Sequence, residues 1–198
     1  MPETTGVRAE ASRRTRDAIV AATVRIVARE GVAAVTHRRV AAEAGVALSS
    51  TTWHFATKAE ILEAGLRWAA RREVESIAAI AVRLGDMDFD PATWADALGD
   101  WLIDQVTTER DLAVALYRLQ VELLGTPGAL EVHREWGEGL RAVGERVLEH
   151  SPTSTPALDI RLVVAALDGL RMSALSSGEQ DVEWLRLAIR RQLRALLG

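Results

Sequence analysis

The side chains best suited to chemistry form one short run of hydrogen-bonding residues: Ser49, Ser50, Thr51, Thr52 and His54. Their helix propensity is mediocre, so local helix stability does not explain why they occur together. Hydroxyl and imidazole groups can bond to phosphates and base edges, and small side chains let a helix enter the major groove of DNA closely. A Ser/Thr-rich turn between two helices accounts for the run equally well from these residues alone.

Basic residues lie on both sides of this run. Arg38, Arg39 and Lys58 could each neutralise a phosphate. Residues 1–58 carry 9 Lys and Arg against 5 Asp and Glu, whereas residues 59–198 carry 15 against 23. A basic N-terminal region on an acidic body is typical of a small nucleic-acid reader attached to a larger domain. The asymmetry alone is a weak indication, because charged faces usually serve only solvation.

Two short helices and one long helix are predicted to position these side chains. Thr36 is a good N-cap for a short helix that Gly45 ends. A second short helix follows over Leu48–His54. The segment Thr57–Glu60 is a capping box, and it opens a long helix that runs to about Leu84. The pattern predicts a helix-turn-helix unit.

Helical periodicity continues along the whole chain, and no segment shows the sustained alternation of a strand. We therefore predict an all-α fold of about nine helices, with an N-terminal three-helix unit and a larger C-terminal helical domain. The predicted bounds are Ser12–Glu30, Thr36–Ala44, Leu48–His54, Lys58–Leu84, Ala92–Thr107, Arg110–Leu124, Gly128–His150, Ala157–Ser176 and Val182–Leu197.

The helix-turn-helix segment resembles the TetR family of bacterial regulators. The matching residues, in the family's order and spacing, are Thr36, Val40-Ala41, Ala44-Gly45-Val46, Trp53-His54-Phe55 and Thr57-Lys58-Ala59-Glu60-Ile61-Leu62. The match spans Arg14 to Leu66, about a third of the chain. Two positions depart from the family pattern. Ala47 stands where a Ser or Thr N-cap is usual, and Thr52 followed by Trp53 stands where the recognition helix usually has a tyrosine.

The resemblance implies a homodimeric DNA-binding regulator, by family default a repressor that a small-molecule effector releases from a palindromic operator. It also implies nine helices, the last two forming a dimer bundle. We expect residues 1–12 to be a flexible tail, residues 13–57 the DNA-binding domain, and residues 58–198 the effector-binding and dimerisation domain. The expected DNA contacts are Thr36, His37, Arg38, Arg39, Leu48, Ser49, Ser50, Thr52, Trp53, His54 and Lys58.

Polar residues among apolar ones on the C-terminal helices indicate either an effector pocket or ordinary core and surface. Tyr117 and Gln120 lie three residues apart between leucines, and Asp168 and Arg171 have the same spacing. For the latter two, an exposed ion pair of little energetic value is slightly favoured over a role in a pocket. The predicted pocket residues are Trp94, Trp101, Leu116, Tyr117, Gln120, Trp136, Asp168 and Met172.

The two last helices carry more apolar residues than a peripheral pair needs. Pairing them with the same helices of a second copy would give a four-helix bundle. The predicted dimer-interface residues are Leu162, Leu170, Leu185, Ile189 and Leu193.

Several classes of site are not expected. The chain has no cysteine, and none of its histidines lies three or four residues from another, so no metal site is predicted. No nucleophile elbow or phosphate-binding loop occurs, so we expect neither catalytic residues nor a cofactor. Apolar runs are too short to span a bilayer, and we expect a cytoplasmic protein. The main alternative is a ligand-independent architectural dimer; a helical enzyme is a distant third.

Overall fold

The computed structural model describes residues 3–84, 90–149, 154–178 and 181–197. Within these ranges the chain is helical, with one short 3₁₀ helix at Val32–Ala34 and no strand, which confirms the predicted all-α class. The helices are α1 (Glu3–Glu30), α2 (His37–Ala44), α3 (Leu48–His54), α4 (Lys58–Leu84), α5 (Pro91–Val106), α6 (Arg110–Glu122), α7 (Pro127–Leu148), α8 (Pro156–Ser177) and α9 (Trp184–Leu197).

Most predicted helix bounds are confirmed to within two residues, because caps and turn glycines mark them in the sequence. His150, the predicted last residue of the seventh helix, lies outside the described residues. The largest difference is at α1, which begins at Glu3 rather than near Ser12. Residues 8–11 are good helix formers and Glu10 pairs with Arg13 at 2.7 Å, which favours helix in this part of the expected tail; nothing in the sequence explains the first turn, which contains Thr4, Thr5 and Gly6.

The chain divides by its contacts into two compact units. The first comprises Met1–Ala70 and Val114–Val132, and the second comprises Arg71–Ala113 and His133–Gly198. This division differs from the expected boundary after residue 57, which stays a prediction about domain function. Because α4, α6 and α7 each contribute residues to both units, a boundary between domains cannot be read from helix ends alone.

In the first unit, the early part of α4 and the middle of α6 pack around the helix-turn-helix. Its core includes Ile19, Val40, Leu66 and Leu119, all fully buried. The guanidinium of Arg118 on α6 donates to the carbonyl oxygens of Val27 and Ala28, at 2.8 and 2.9 Å, near the end of α1. The Val27 carbonyl also accepts from the Gly31 amide at 3.1 Å, and carbonyls in the last turn of a helix generally need such partners from outside the helix, so Arg118 helps to cap α1 as well as joining α6 to it.

In the second unit, α5 packs most extensively against α9. Gly99 allows this close approach, since a Cβ there would lie 3.1 Å from the Cα of Arg186. Arg190 pairs with Asp96 at 2.6 Å, and Arg186 pairs with Asp100 across the same two helices. Within the described ranges, no helix combines the length and hydropathy that a bilayer span requires.

Candidate nucleic-acid interface and apolar cavity

Local hydrogen bonds fix the start of α2 and the turn between α2 and α3, and the sequence predicted the capping role of Thr36 and the stop at Gly45. The Thr36 hydroxyl accepts from the Arg39 amide at 3.1 Å and caps α2. Gly45 ends α2 in the left-handed conformation, with φ 67° and ψ 31°, where a residue with a Cβ would be strained. The Val46 amide then donates to the Ala41 carbonyl at 3.0 Å. This turn sets the direction in which α3 leaves α2.

Helix α3 has a buried side and an exposed side. Thr51 is fully buried, and Phe55 just beyond the helix is 4% exposed, so this side packs inward. The opposite side is formed by Leu48, Ser49, Thr52 and Trp53, all exposed, flanked by half-buried Ser50 and His54. The residues predicted to contact DNA on α3 therefore share an accessible surface, and Thr51, which was not among those contacts, faces the core.

A groove runs beside this surface, between the early turns of α1 and α3. Ser49, Ser50, Trp53 and His54 line one wall, and the α1 residues that line the other are Ala11, Ser12 and Thr15. These α1 residues were not among the predicted DNA contacts. Small and hydroxyl-bearing residues in a helix are common, so the sequence did not mark them as part of a binding surface.

Trp53 dominates the exposed side of α3, with 74% of its surface exposed. Its ring meets the His54 ring edge-to-face at 4.5 Å. The neighbouring Thr52 hydroxyl donates to the Ser49 carbonyl at 3.1 Å, within its own helix. Where the family pattern has a tyrosine, this chain thus presents a large exposed indole beside an internally bonded threonine.

The basic residues near α3 differ in how they are engaged. Arg39 bonds to Glu30 at 2.5 Å and to Glu43 at 3.1 Å, and these carboxylates raise the pKa of its guanidinium. Arg25 also binds Glu43, and together the two arginines lower the pKa of that carboxyl. The expected role of Arg39 as a phosphate partner would require it to leave this network, whereas Arg38 is exposed.

Two further predicted contacts lie at the edges of this surface. Lys58 is half-buried at the first turn of α4. The His37 imidazole Nε2 lies 2.9 Å from the Phe55 carbonyl oxygen, so His37 joins the start of α2 to the end of α3. This contact gives His37 a role in positioning α3, and that role does not depend on a contact with DNA.

Protonation of His54 is expected to strengthen DNA binding at low pH. Burial, together with nearby Arg16, lowers the pKa of His54 below its ordinary value of 6.5, so the ring is neutral at pH 7.5. As the pH falls through this lowered pKa the ring gains a positive charge, which phosphates favour. Affinity for DNA, measured by fluorescence polarisation at fixed salt, should rise as the pH is lowered from 7.5 through this pKa. The same rise in His54→Gln would assign the effect to another group.

An apolar cavity of about 90 Å³ lies in the second unit. Its wall is almost entirely aliphatic: Ile77, Trp94, Leu98, Leu140, Val143, Gly144, Val147, Leu148, Ile160, Val163, Val164, Leu167 and Leu193. Gly144 allows α7 to approach α8 there, since a Cβ at that position would lie 2.7 Å from Ile160. The cavity is smaller than most ligand pockets, so an occupant larger than a small ring has to displace its walls.

Of the predicted pocket residues, Trp94 alone lines this cavity. Leu116, Tyr117 and Gln120 belong to the first unit. Trp101, Trp136 and Asp168 belong to the second unit without lining the cavity, and Met172 is 41% exposed. The helical spacing of the predicted pocket residues shows which of them lie on the same face of a helix. It does not show which face of the helix lines a cavity in the fold. The aliphatic wall residues were missed because they look like ordinary core.

Asp168 and Arg171 form the expected ion pair, but the prediction that the pair is exposed is wrong, because Arg171 is only 1% exposed. Its guanidinium lies 2.6 Å from Asp168 and 3.2 Å from Glu73, itself 7% exposed. Burial raises the pKa of Glu73, although the charge of Arg171 opposes this shift. Sequence reasoning missed Glu73, because a glutamate in a charged stretch of α4 reads as a solvated residue.

Three of the predicted dimer-interface residues are also corrected. Leu185, Ile189 and Leu193 are at most 3% exposed within this chain alone, because α9 turns its leucine face toward α5. They have no surface left for a partner. Leu170 is half-buried and packs against the same core, while Leu162 remains 40% exposed.

An exposed stripe on α8 lies where the interface was expected. Its small and apolar members recur at alternating spacings of four and three residues: Leu158, Leu162, Ala165, Gly169 and Met172. At Gly169, nothing lies within 4 Å of where a Cβ would be. This α8 stripe has the spacing of a helix seam that packs against another helix.

Two family models match the sequence. A model for bacterial regulatory proteins of the tetR family matches residues 19–64, and a model for tetracyclin repressor-like C-terminal domains matches residues 89–198. Curated protein sequences contain no significant match.

Solved structures of similar sequence and fold cover nearly the whole chain. The multidrug binding protein EbrR in complex with imidazole is 33% identical, covers 89% of this chain and 93% of EbrR, and has a TM-score of 0.67. The EbrR complex with ethidium is 30% identical over 90% of this chain and 98% of EbrR, with a TM-score of 0.68. A TetR-family member from Streptomyces coelicolor A3 is 31% identical, over 90% and 97% respectively, with a TM-score of 0.69.

Proposed function

Since the chain belongs to the TetR family of transcriptional regulators, we propose that it represses transcription as a homodimer that binds a palindromic operator and leaves it when an effector binds. The exposed face of α3, with Ser49, Thr52 and Trp53 outward and Thr51 buried on the opposite side, is the observation that carries this proposal. In a twofold dimer, two such helices would enter successive major grooves about 34–36 Å apart.

The α8 stripe supports the homodimer. Its residues are exposed in the single chain, and an isologous interface would bring the stripe against its own twofold copy. Leu162 and Met172 would then be buried, and Gly169 would allow the two helices to approach closely.

The roles within the proposed DNA interface can be separated by substitution. Lys58→Ala and Arg38→Ala should weaken binding to all sequences about equally and flatten the salt slope by about one unit per phosphate contact. Ser50→Ala and His54→Ala should instead change preference at particular operator positions, by about 1–3 kcal/mol each. The measurement is a polarisation series against single-base operator variants at several salt concentrations.

Arg39→Ala is the matched control for that series, because Arg39 is engaged by Glu30 and Glu43. Its salt slope should change less than that of Arg38→Ala. Unchanged affinity, slope and base preference in folded dimers of Lys58→Ala and His54→Ala would overturn the assignment of this surface to DNA.

We place the effector in the apolar cavity, and propose an aromatic or other apolar compound. EbrR binds ethidium, a polycyclic aromatic cation, which supports an aromatic effector. Ile77 lines the cavity from α4, and α4 also carries Lys58 at its first turn. Widening the cavity would therefore move the helix that leads to the DNA-contacting residues. A near-complete switch requires the effector to prefer the released state by about 5 kcal/mol.

Effector and operator should weaken each other's binding by the same factor, because the coupling is reciprocal. Trp94 lies in the cavity wall, so a true effector such as ethidium or a smaller aromatic should quench tryptophan emission. The measurement compares its dissociation constant with and without saturating operator. Quenching that operator does not affect would favour the ligand-independent dimer over the effector-released repressor.

A further inference from the structure

The residue types in α3 limit how this helix can distinguish bases. In the major groove, arginine or lysine commonly reads guanine, asparagine or glutamine reads adenine, and aspartate or glutamate reads cytosine, all by hydrogen bonds to the base edge. None of these six residue types occurs in α3. Thymine presents a 5-methyl group in the same groove, and apolar side chains contact it. The helix therefore lacks the usual readers of three bases but has side chains suited to the fourth.

The hydroxyl groups on the exposed side of α3 only partly offset this lack. The Thr52 hydroxyl donates to the Ser49 carbonyl at 3.1 Å, with the Leu48 carbonyl 3.4 Å away, so its donor is used within the helix. A serine hydroxyl both donates and accepts, so Ser49 and Ser50 suit more than one base. Polar contacts alone would give this helix little discrimination between bases.

Trp53 is the more exposed of the two large apolar side chains on the exposed side of α3. It is 74% exposed, against 48% for Leu48. Its ring packs edge-to-face against the His54 imidazole, with 4.5 Å between ring centroids, and it lines the same groove as Ser49 and Ser50. A ring that is already held in place loses less conformational entropy when it binds. The exposure and the restraint of this indole suit a fixed apolar contact with another molecule.

Basic residues on both sides of α3 favour DNA as the molecule that covers this indole. Arg38 is exposed, Lys58 is half-buried at the first turn of α4, and the Arg16 guanidinium lies over the Phe55 ring, 5.2 Å from its centroid. Residues 1–58 carry more basic than acidic side chains, which complements the phosphates of DNA. An apolar group among basic residues fits the major groove, where the thymine methyl lies between two phosphate backbones.

We propose that the Trp53 indole contacts the 5-methyl group of a thymine, so that each half-site of the operator contains an A·T pair recognised through that methyl. This contact rests on the proposed function, because it requires α3 to enter the major groove. It adds which base the indole reads and which chemical group of that base is recognised. Burial of one methyl group corresponds to about a fourfold gain in affinity.

The test removes this methyl from the DNA and leaves the protein unchanged. Operator duplexes are first selected from a random-sequence pool with the full-length protein. Each thymine is then replaced in turn by deoxyuridine, which lacks only the 5-methyl group, and affinity is measured by fluorescence polarisation at fixed salt. We expect at least one position per half-site at which the replacement weakens binding about fourfold, and about fifteenfold when both half-sites are replaced.

Two variants assign the methyl effect to Trp53. In Trp53→Ala, thymine and uracil duplexes should bind equally at that position. Trp53→Phe keeps an apolar ring but lacks the indole N–H, so it should retain the methyl effect; a hydrogen bond from the indole to a phosphate would not survive this change. Val121→Ala, the matched control, truncates an apolar side chain on α6 that is also 74% exposed and should retain the full effect.

The outcomes separate this contact from the proposed function. A selected operator in which no deoxyuridine weakens binding would overturn the contact and leave the proposed function intact. A methyl effect that persists in Trp53→Ala, or that is lost in Trp53→Phe, would do the same. Enrichment of no sequence would instead overturn the proposed function, and this contact with it. The deoxyuridine series needs only the unsubstituted protein, so a variant that does not fold leaves the test in place.

Discussion

Arg171→Met is expected to lower the free energy of unfolding by about 3–5 kcal/mol, because it leaves a buried carboxylate without its counter-charge. Among the described residues, Arg171 is the largest side chain that is almost completely buried, and it pairs with both Glu73 and Asp168. Burial already raises the pKa of Glu73, and loss of Arg171 would raise that pKa further. The destabilisation should therefore grow as the pH rises from 5 to 8 and Glu73 is forced to ionise in place.

Urea denaturation at both pH values measures this effect, and two variants interpret it. The double variant Glu73→Leu, Arg171→Met removes both charges and should recover much of the lost stability, since apolar replacement of a whole buried pair is often neutral. Arg134→Met breaks an exposed pair with Glu138 and should have little effect. A loss in Arg171→Met no greater than in Arg134→Met would contradict the buried network.

Leu162→Glu should convert the proposed homodimer to a monomer and reduce affinity for the proposed operator about 10³-fold or more, toward non-specific binding. Leu162 is 40% exposed and lies within the α8 stripe, so glutamate is tolerated in the single chain but would be buried in a dimer. Analytical ultracentrifugation and polarisation on the same sample measure the two effects. Met172→Glu should behave in the same way.

Val82→Glu is the matched control, because Val82 on α4 is 69% exposed and lies off the stripe. It should leave both the dimer and operator affinity unchanged. An unchanged dimer in Leu162→Glu would exclude the α8 stripe as the interface. Leu185→Glu could not make this test, since Leu185 is fully buried in its own chain and its replacement would unfold the protein.

The sequence predicted the features that local signals specify. Thr36 caps α2, Gly45 ends it in the left-handed conformation, and Thr57 caps α4, with its hydroxyl accepting from the Glu60 amide at 3.2 Å. These signals act within a few residues, so the helix-turn-helix and the exposed side of α3 could be placed without tertiary information.

The apolar cavity, the buried charges and the packing of α9 depend on contacts between distant segments, and there prediction was poorer. The apolar face of α9 fits an outer interface and an inner core equally well by its periodicity, and packing on α5 decides for the core. Similarly, Arg171 is close in sequence to Asp168 but remote from Glu73, and the remote partner lies with it in the core. Periodicity shows that a helix has an apolar face, while the neighbour that covers it is set by the fold.

The hydrogen bonds between α1 and α6 affect how DNA-binding segments can be exchanged between related proteins. Arg118 bonds to the end of α1, and Leu119 contributes to the same core as the helix-turn-helix. A DNA reader exchanged at residue 57 would arrive without the middle segment of the chain against which it folds. Exchange between relatives should therefore succeed when residues 114–132 are transferred together with the first 70. Operator specificity would then be inherited as two sequence segments rather than one.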